Sequence, residues 1–147
     1  MVSEIDEVTH GEFLISNDPA KLQLDVIYDL IANRSYWGKG RPREIMDRAV
    51  ENSLCYGVYH LGKQVGFARV VTDYATFAWL CDVYVDEAFR GHGLGKALVQ
   101  AVISHPHLKD IRRLLLATRD AHGLYAGYGG FEALKNPERW MERLKLA

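Results

Sequence analysis

The stretch "DVYVDEAFRGHGLGKALVQAV", from Asp82 to Val102, constrains the fold more than any other part of the sequence. It holds a strand-like apolar run, then glycines at every second position (Gly91, Gly93 and Gly95), then apolar residues at helical spacing. Amides in the first turn of a helix are unpaired and lie at the positive end of its dipole. Glycines there let an anion approach the backbone without meeting a side chain. The stretch therefore predicts a strand, a phosphate-binding loop and a helix. The alternative is that the glycines form a turn that starts the helix and binds no ligand.

The spacing of this glycine loop excludes two common phosphate-binding motifs. The dinucleotide fingerprint reads G-x-G-x-x-G after the first strand of a βαβ unit, whereas this loop reads G-x-G-x-G and follows several predicted strands. The P-loop continues from Gly-Lys into Ser or Thr. Here Lys96 is followed by Ala97, and Arg90 occupies the position of the first P-loop glycine. A nucleotide-binding protein that uses this loop is therefore a weak alternative.

Periodicity along the rest of the chain predicts an α+β fold. We predict strands in "GEFLISND", "LCYGVYHL", "QVGFARVVTDY", "FAWLCDVYV", "RRLLLATRD" and "FEALK". Helices are predicted from Pro19, from Pro42, over "GLGKALVQAVISH" and around Leu124 to Tyr128. The central strands form an antiparallel meander, and the helix between the fourth and fifth strands makes those two parallel. We expect a mixed, mostly antiparallel sheet with helices on both faces, and the segment "NPERWMERLKLA" is compatible with a helix or a strand.

Composition narrows the possible functions. The chain has 147 residues, which suits one domain over residues 1–147, and its net charge of -1 with no basic stripe argues against a nucleic-acid partner. The N-terminal "MVSEIDEVTHGEF" is polar and no apolar run approaches the ~20 residues of a membrane span, so we expect neither a signal peptide nor a membrane partner. Cys55 and Cys81 lie in apolar strands and are expected to be free thiols in a reducing, cytoplasmic environment. His105 and His107 show no metal-ligand pattern, and no metal is expected.

Two motifs resemble the GNAT superfamily of N-acetyltransferases. "VYVDEAFRGHGLGKALV" is similar to the acyl-CoA-binding signature [RQ]-x-x-G-x-[GA], with Arg90, Gly93 and Gly95 at its defined positions. "LLLATRDAHGLYAGYGGFEAL" is similar to the second signature of that family, which is a strand, a short helix with a tyrosine, and Gly-Phe. The resemblance implies the GNAT fold, in which the fourth and fifth strands splay apart and coenzyme A lies in the gap.

The resemblance also implies which residues bind the co-substrate, acetyl-CoA. Backbone groups of Val83, Tyr84 and Val85 would contact the pantetheine arm. Asp120 lies near the position where many relatives have an asparagine that contacts the cofactor, although the spacing from Asp120 to Tyr125 is shorter than the corresponding spacing in those relatives. The loop would bind the pyrophosphate, mainly through its amides. The residues of this loop are Arg90, Gly91, His92, Gly93, Leu94, Gly95 and Lys96.

For the reaction, the resemblance implies acetyl transfer to a primary amine of a small molecule or peptide, by direct attack in a ternary complex. Tyr125 is the candidate acid for the thiolate, but "YAGYGGF" is one residue longer than the usual Y-x-x-x-G-F, so Tyr128 is a rival. Asp82 is the candidate base, with a pKa that burial would raise. Since neighbouring strand residues point to opposite sides, only one of Cys81 and Asp82 is expected to reach the cleft. A proton relay through His122, a chain of waters and a covalent role for Cys81 are further alternatives.

The segment "NRSYWGKGRPRE", between the first two predicted helices, is where that fold forms part of its acceptor pocket. Tyr36 and Trp37 would enclose the acceptor and Trp79 would add a wall, although the first two rings could instead pin the loop to the core. The segment is basic, which suits an amine that also carries a carboxylate. Its cationic residues are Arg34, Lys39, Arg41 and Arg43. A non-catalytic acyl-CoA sensor of the same fold is the alternative function, and a homodimer is compatible with both.

Overall fold

A computed structural model describes residues 4–146 and contains within them one sheet of six strands. The strands are β1 (Glu7–His10), β2 (Phe13–Ser16), β3 (Leu54–His60), β4 (Lys63–Thr72), β5 (Phe77–Val85) and β6 (Arg113–Leu115). They lie in the order β1-β2-β3-β4-β5-β6, antiparallel from β1 to β5, with β6 parallel to β5. The predicted mixed, mostly antiparallel sheet is confirmed. Met1 to Ser3, at the start of the polar N-terminal stretch, and Ala147 lie outside the described residues.

The helices largely follow the predictions. They are α1 (Leu24–Tyr28), α2 (Arg43–Glu51), α3 (Leu94–Ser104) and α4 (His122–Gly129). The predicted first helix is interrupted, because a 3-10 turn at Pro19–Lys21 precedes α1 and a π turn at Asp29–Arg34 follows it. In α2, Met46 is buried and Ile45 is exposed. No helix within residues 4–146 is long and apolar enough to cross a membrane.

Helices cover both faces of the sheet, as predicted. On one face, Leu98 and Val102 of α3 belong to the same buried cluster as Val58 of β3. On the other face, Ile31 of the π turn and Met46 of α2 form a second cluster with Cys55. Successive residues of a strand point to opposite faces, and β3 is buried from both sides. The sheet is therefore the middle layer of the fold, and any opening in it connects the two faces.

A bulge in β5 opens the sheet. Opposite β4, the strand carries one extra residue between Cys81 and Tyr84, and Asp82 there has a left-handed φ of +52°. β6 pairs with β5 only at residues 77–79, so residues 80–85 of β5 have no parallel neighbour. β5 and β6 are the fourth and fifth predicted strands, and their predicted splay is confirmed.

Two predicted strands are shortened or missing. "RRLLLATRD" is a strand only over Arg113–Leu115, because the chain then leaves β5 and residues 116–120 have no strand to pair with. "FEALK" does not form a strand within the described residues, and its Phe131 packs on Tyr125 with ring centroids 6.0 Å apart. In the C-terminal segment, Pro137–Arg139 is a single 3-10 turn and the described residues around it are irregular, so neither predicted alternative is right.

Candidate active site

A cavity of about 900 Å³ occupies the gap between β5 and β6. This volume lies in the usual range for small-molecule sites. The walls come from the glycine loop, from β5, from the chain beyond β6 with the start of α4, and from the segment that precedes α2. The predicted site residues that line the cavity are Tyr36, Trp37, Trp79, Asp82, Val83, Tyr84, Val85, Arg90, Gly91, Gly93, Leu94, Gly95, Asp120 and Tyr125.

The glycine loop presents its backbone to this cavity. A 3-10 turn at Glu87–Phe89, capped by Asp86, leads into the loop, where Gly91 and Gly93 have left-handed φ values of +88° and +74°. Gly93 is the N-cap of α3, and no side chain of the described residues caps that helix end. The amides of the first helical turn therefore have no side-chain acceptor, as an anion site requires.

His10 of β1 holds the loop in this conformation. Its Nε2 lies 2.7 Å from the carbonyl oxygen of His92. The C=O and N–H of one peptide point in opposite directions, so a bond from His10 to this carbonyl turns the Gly93 amide to the other side. His92 itself is not among the residues that line the cavity, and its carbonyl contacts His10 instead. His10 is 82 positions away in sequence, and no motif indicates it.

The two cations of the loop take different positions. Arg90 lines the cavity, where its Nε donates to the Val85 carbonyl at 3.2 Å and its guanidinium lies 5.1 Å from the centre of the Tyr84 ring. Lys96 lies outside the cavity, with its Nζ 4.6 Å from the centre of the Tyr128 ring. The prediction that Lys96 belongs to the phosphate site is therefore not supported by its position, and Arg90 is the cation of the loop at the cavity.

Asp82 is an ion-paired carboxylate. Its Oδ2 accepts from Arg41 Nη1 and Arg69 Nε, both at 2.8 Å, and its Oδ1 accepts from Trp37 Nε1 at 2.8 Å. Burial acts to raise the pKa of Asp82, but the bonds and charges of the two arginines outweigh it and hold the pKa below its ordinary value. The prediction of a raised pKa is wrong, and Asp82 is not poised as a base. The bulge also brings both Cys81 and Asp82 to the cavity, where only one was expected.

Replacing Asp82 by asparagine is expected to lower the free energy of unfolding by about 3 kcal/mol at pH 7, because two partly buried guanidinium groups lose their anion. The folded pKa of Asp82 lies below the ordinary value of 3.8, so its stabilisation is complete above that value and is lost as the pH falls through the folded pKa. Urea unfolding at several pH values measures the difference in free energy of unfolding between the wild type and the variant, and this difference should become smaller in acid. Asp47→Asn, which removes an exposed ion pair with Arg43, is the control and should cost less than about 1 kcal/mol. Equal stability of Asp82→Asn and wild type at pH 7 is the contradicting result.

α4 places Tyr125, and not Tyr128, at the cavity. Tyr125 is buried and lines the cavity, whereas Tyr128 is 45% exposed and lies outside it. Gly130 has a left-handed φ of +69° and its amide bonds to the Tyr125 carbonyl, so the extra glycine closes the helix end and leaves Tyr125 in register. Burial raises the pKa of Tyr125, and the nearby carboxylate of Asp120 raises it further, so the hydroxyl keeps its proton at neutral pH.

The segment before α2 forms an aromatic wall of the cavity. The rings of Tyr36 and Trp37 meet edge to face at 4.9 Å, and the Tyr36 hydroxyl accepts from the Arg119 amide at 3.1 Å. Gly38 packs the segment on the π turn, since a Cβ there would meet Ile31 Cγ2 at 2.5 Å. The segment therefore bridges the π turn and the chain beyond β6. Both rings are partly exposed and line the cavity, so they form its wall as well as fixing the loop.

The remaining candidates divide between cavity and surface. Those that line the cavity are Trp79, Cys81, Asp120, Arg34 and Arg41, together with Arg69, which no sequence motif indicates. Those that do not line it are His122, Lys39 and Arg43. Burial raises the pKa of Cys81 to about 11, so its thiol is neutral and unsuited to covalent catalysis. Within residues 4–146, no group of three His, Cys, Asp or Glu side chains is arranged to hold a metal ion.

Comparison with known proteins identifies the family. The model of the family described as "Acetyltransferase (GNAT) family" matches residues 41–129, which is more than half of the chain. This chain belongs to the GNAT acetyltransferase family. A relative from Gibberella zeae, named as an acetyltransferase, is 32% identical to this GNAT protein over 140 residues, which cover 80% of this chain and 77% of that one.

Solved structures share the GNAT fold with nearly the whole of this GNAT protein. A GNAT-family protein from Xanthomonas campestris pv. campestris has a TM-score of 0.88 and 44% identity, covering 93% of this chain and 96% of that one. A predicted acetyltransferase from Clostridium acetobutylicum, crystallised with acetyl-CoA, has a TM-score of 0.66 and 11% identity, covering 90% and 94%. The fold expected from the two sequence motifs is thereby confirmed.

Proposed function

We propose that this GNAT protein is an N-acetyltransferase that transfers an acetyl group from acetyl-CoA to a primary amine of a small molecule or peptide, by direct attack in a ternary complex. One observation carries the proposal. A single cavity joins the uncapped amides of the glycine loop, the splay of β5 and β6, and Tyr125. A protein of the same fold has been crystallised with acetyl-CoA, which supports the choice of co-substrate.

The chain offers groups for both ends of acetyl-CoA. The pyrophosphate would bind the amides of Gly91, Gly93 and Gly95, which line the cavity, with Arg90 supplying a positive charge. Space around Gly91 is open, since no atom lies within 4 Å of a Cβ built there. The pantetheine arm would lie along residues 83–85 of β5. β6 does not pair with this part of β5, so its backbone donors and acceptors on that side are exposed. Bound in this way, the thioester would point toward the bulge.

The chemistry then places three demands on the site. The amine must attack as a neutral group and lose its proton to water, because Asp82 is ion-paired and Cys81 is a neutral thiol. The carbonyl oxygen gains negative charge, which a backbone N–H released by the bulge in β5 would stabilise. As the C–N bond forms and the C–S bond breaks, Tyr125 would give its proton to the sulfur and take another from water.

We also propose that the protein works in the cytoplasm as a single domain over residues 1–147. Cys55 and Cys81 are both free thiols, and a reducing compartment preserves that state. Fractionation of cells followed by detection of the protein tests the location. Recovery in an oxidising compartment would contradict it.

Release of free thiol from acetyl-CoA, measured across a panel of primary amines, tests the proposed reaction. We expect thiol release that requires both acetyl-CoA and an amine, with mass spectrometry showing one added acetyl group on the amine. Release without an amine measures hydrolysis and is the control. Thermal stabilisation by coenzyme A without turnover of any amine would favour an acyl-CoA sensor. Stabilisation by ATP or NAD in preference to coenzyme A would favour a nucleotide-binding protein.

A further inference from the structure

Two arginines and one carboxylate meet on one side of the cavity. We call this the arginine side, and its lining residues are Trp37, Arg41, Arg69, Trp79 and Cys81. Arg41 and Arg69 both donate to Oδ2 of Asp82 at 2.8 Å. The side chain of Asp82 is 1% exposed, that of Arg69 is 12% exposed and that of Arg41 is 22% exposed. All three charged groups are therefore largely removed from water.

Each guanidinium keeps donors for another partner. An arginine has about five N–H donors in a planar fork. Arg69 bonds to Asp82 through Nε and to Ser53 through Nη1, and Arg41 bonds to Asp82 and to the Met46 sulfur through Nη1 alone. No partner from residues 4–146 bonds to Nη2 of either arginine. Both oxygens of Asp82 already have donors, so these remaining N–H groups are available to a ligand in the cavity.

The charges on the arginine side do not balance. Two guanidinium groups are paired with one carboxylate, and the raised pKa of Cys81, about 11, keeps its thiol uncharged. Asp120 also lines the cavity, but its side chain is 66% exposed and lies 3.9 Å from Arg119, so it belongs to a different cluster. A positive charge removed from water without a partner costs free energy, and an anion that enters the cavity would offset this cost.

We propose that the acceptor amine also carries a carboxylate, and that Arg41 and Arg69 bind this carboxylate on the arginine side of the cavity. The inference rests on the proposed acetyl transfer. A carboxylate is planar and can accept paired N–H bonds from a guanidinium. It also carries one negative charge, which is the charge that the cluster lacks, whereas a phosphate dianion would bring one negative charge too many. Trp37 and Trp79 line the same side and would contact the apolar part of the acceptor. The acceptor class is therefore a small amino acid, with amine and carboxylate in one molecule.

Matched sets of amines test this inference on the wild-type protein. Each set contains an amino acid, its carboxamide and the amine that lacks the carboxyl group, such as β-alanine, β-alaninamide and ethylamine, and further sets use L-α-amino acids. In the best set, we expect kcat/KM for the amino acid to exceed that for its carboxamide by about tenfold or more. Phosphoethanolamine is compared with ethanolamine. A larger preference for the phosphate member than for any carboxylate would overturn the assignment.

Arg41→Gln tests the binding residue. Asp82 keeps Arg69 and Trp37 as donors in this variant, so we expect it to fold, and thermal unfolding checks this. The KM for the amino acid should rise about tenfold and the KM for acetyl-CoA should stay within about twofold, while the preference over the carboxamide falls below about threefold. Arg41→Lys restores the charge and should recover part of the preference. Arg48→Gln, at an exposed position of α2 outside the cavity, is the control and should change neither KM.

The two proposals fail in different ways. Acetylation of amines without preference for the carboxylate members, or an unchanged preference in Arg41→Gln, would overturn the carboxylate site and leave acetyl transfer intact. If no amine is acetylated, acetyl transfer is wrong, and calorimetry with the same sets in the presence of coenzyme A still decides the site. The wild type should then bind the carboxylate member more tightly than the carboxamide, and Arg41→Gln should not. Equal binding of both members by the wild type would overturn the inference.

Discussion

Replacing Gly93 by valine is expected to weaken the binding of coenzyme A by about tenfold or more, which corresponds to about 1.4 kcal/mol. Gly93 has a φ of +74°, a conformation that β-branched residues rarely adopt, and a Cβ there would lie 3.4 Å from His10 Nε2. Valine would therefore turn the peptide or displace His10, and either change redirects the amide that the pyrophosphate needs. Isothermal titration calorimetry with coenzyme A measures the loss of affinity.

Gly62→Val separates this effect from backbone strain. Gly62 has a φ of +82° in the turn between β3 and β4, no atom lies within 4 Å of a Cβ built there, and it does not line the cavity. The variant carries a comparable strain and should bind coenzyme A as tightly as the wild type does. Wild-type affinity in a folded Gly93→Val protein would show that the glycine loop is not the pyrophosphate site.

Replacing Tyr125 by phenylalanine is expected to lower kcat by about a hundredfold, while KM for both substrates changes less than about twofold. The new ring keeps the packing on Phe131, whose centroid lies 6.0 Å from that of Tyr125, so only the hydroxyl is lost. The hydroxyl is required when the thiolate leaves and not when the substrates bind, so the rate falls and binding is kept. Steady-state kinetics from thiol release measure both constants.

Tyr128→Phe is the matched control, because Tyr128 lies on the same helix but is 45% exposed and outside the cavity. Its kcat should equal that of the wild type. The pKa of Tyr125 is raised above its ordinary value, so the wild type should keep its acid through neutral pH and lose rate only as the pH rises through that raised pKa. A large loss of kcat in Tyr128→Phe, with a normal kcat in Tyr125→Phe, would show that Tyr128 is the acid and that the assignment to Tyr125 is wrong.

Features built from residues that are close in sequence could be predicted. The strand, loop and helix around Gly93 follow from local spacing, because three glycines after an apolar run and before helical periodicity permit few other conformations. The position of Tyr125 also follows from local order. Its register was in doubt because of one extra residue, and Gly130 resolves the doubt by forming the end of α4 in the left-handed conformation.

Features built from distant residues could not be predicted. The burial of Asp82 follows from its strand, but the direction of its pKa shift depends on Arg41 and Arg69, which lie 41 and 13 positions away in the chain. The bond from His10 to the loop likewise joins residues that no periodicity connects. "FEALK" has the composition of a strand, but a strand also needs a neighbour, and β6 has only 3 residues. The local sequence pattern therefore predicts the loop and the helices more accurately than it predicts the ion pairs and the edge of the sheet.

A crystal structure with coenzyme A bound tests most directly whether the glycine loop and the splay form the acetyl-CoA site. We expect pyrophosphate oxygens within about 3.2 Å of the amide nitrogens of the glycine loop. We also expect the sulfur in the gap between β5 and β6, on the side of Tyr125. Coenzyme A bound elsewhere, or a pyrophosphate held by side chains with these amides left unused, would contradict the assignment of the site.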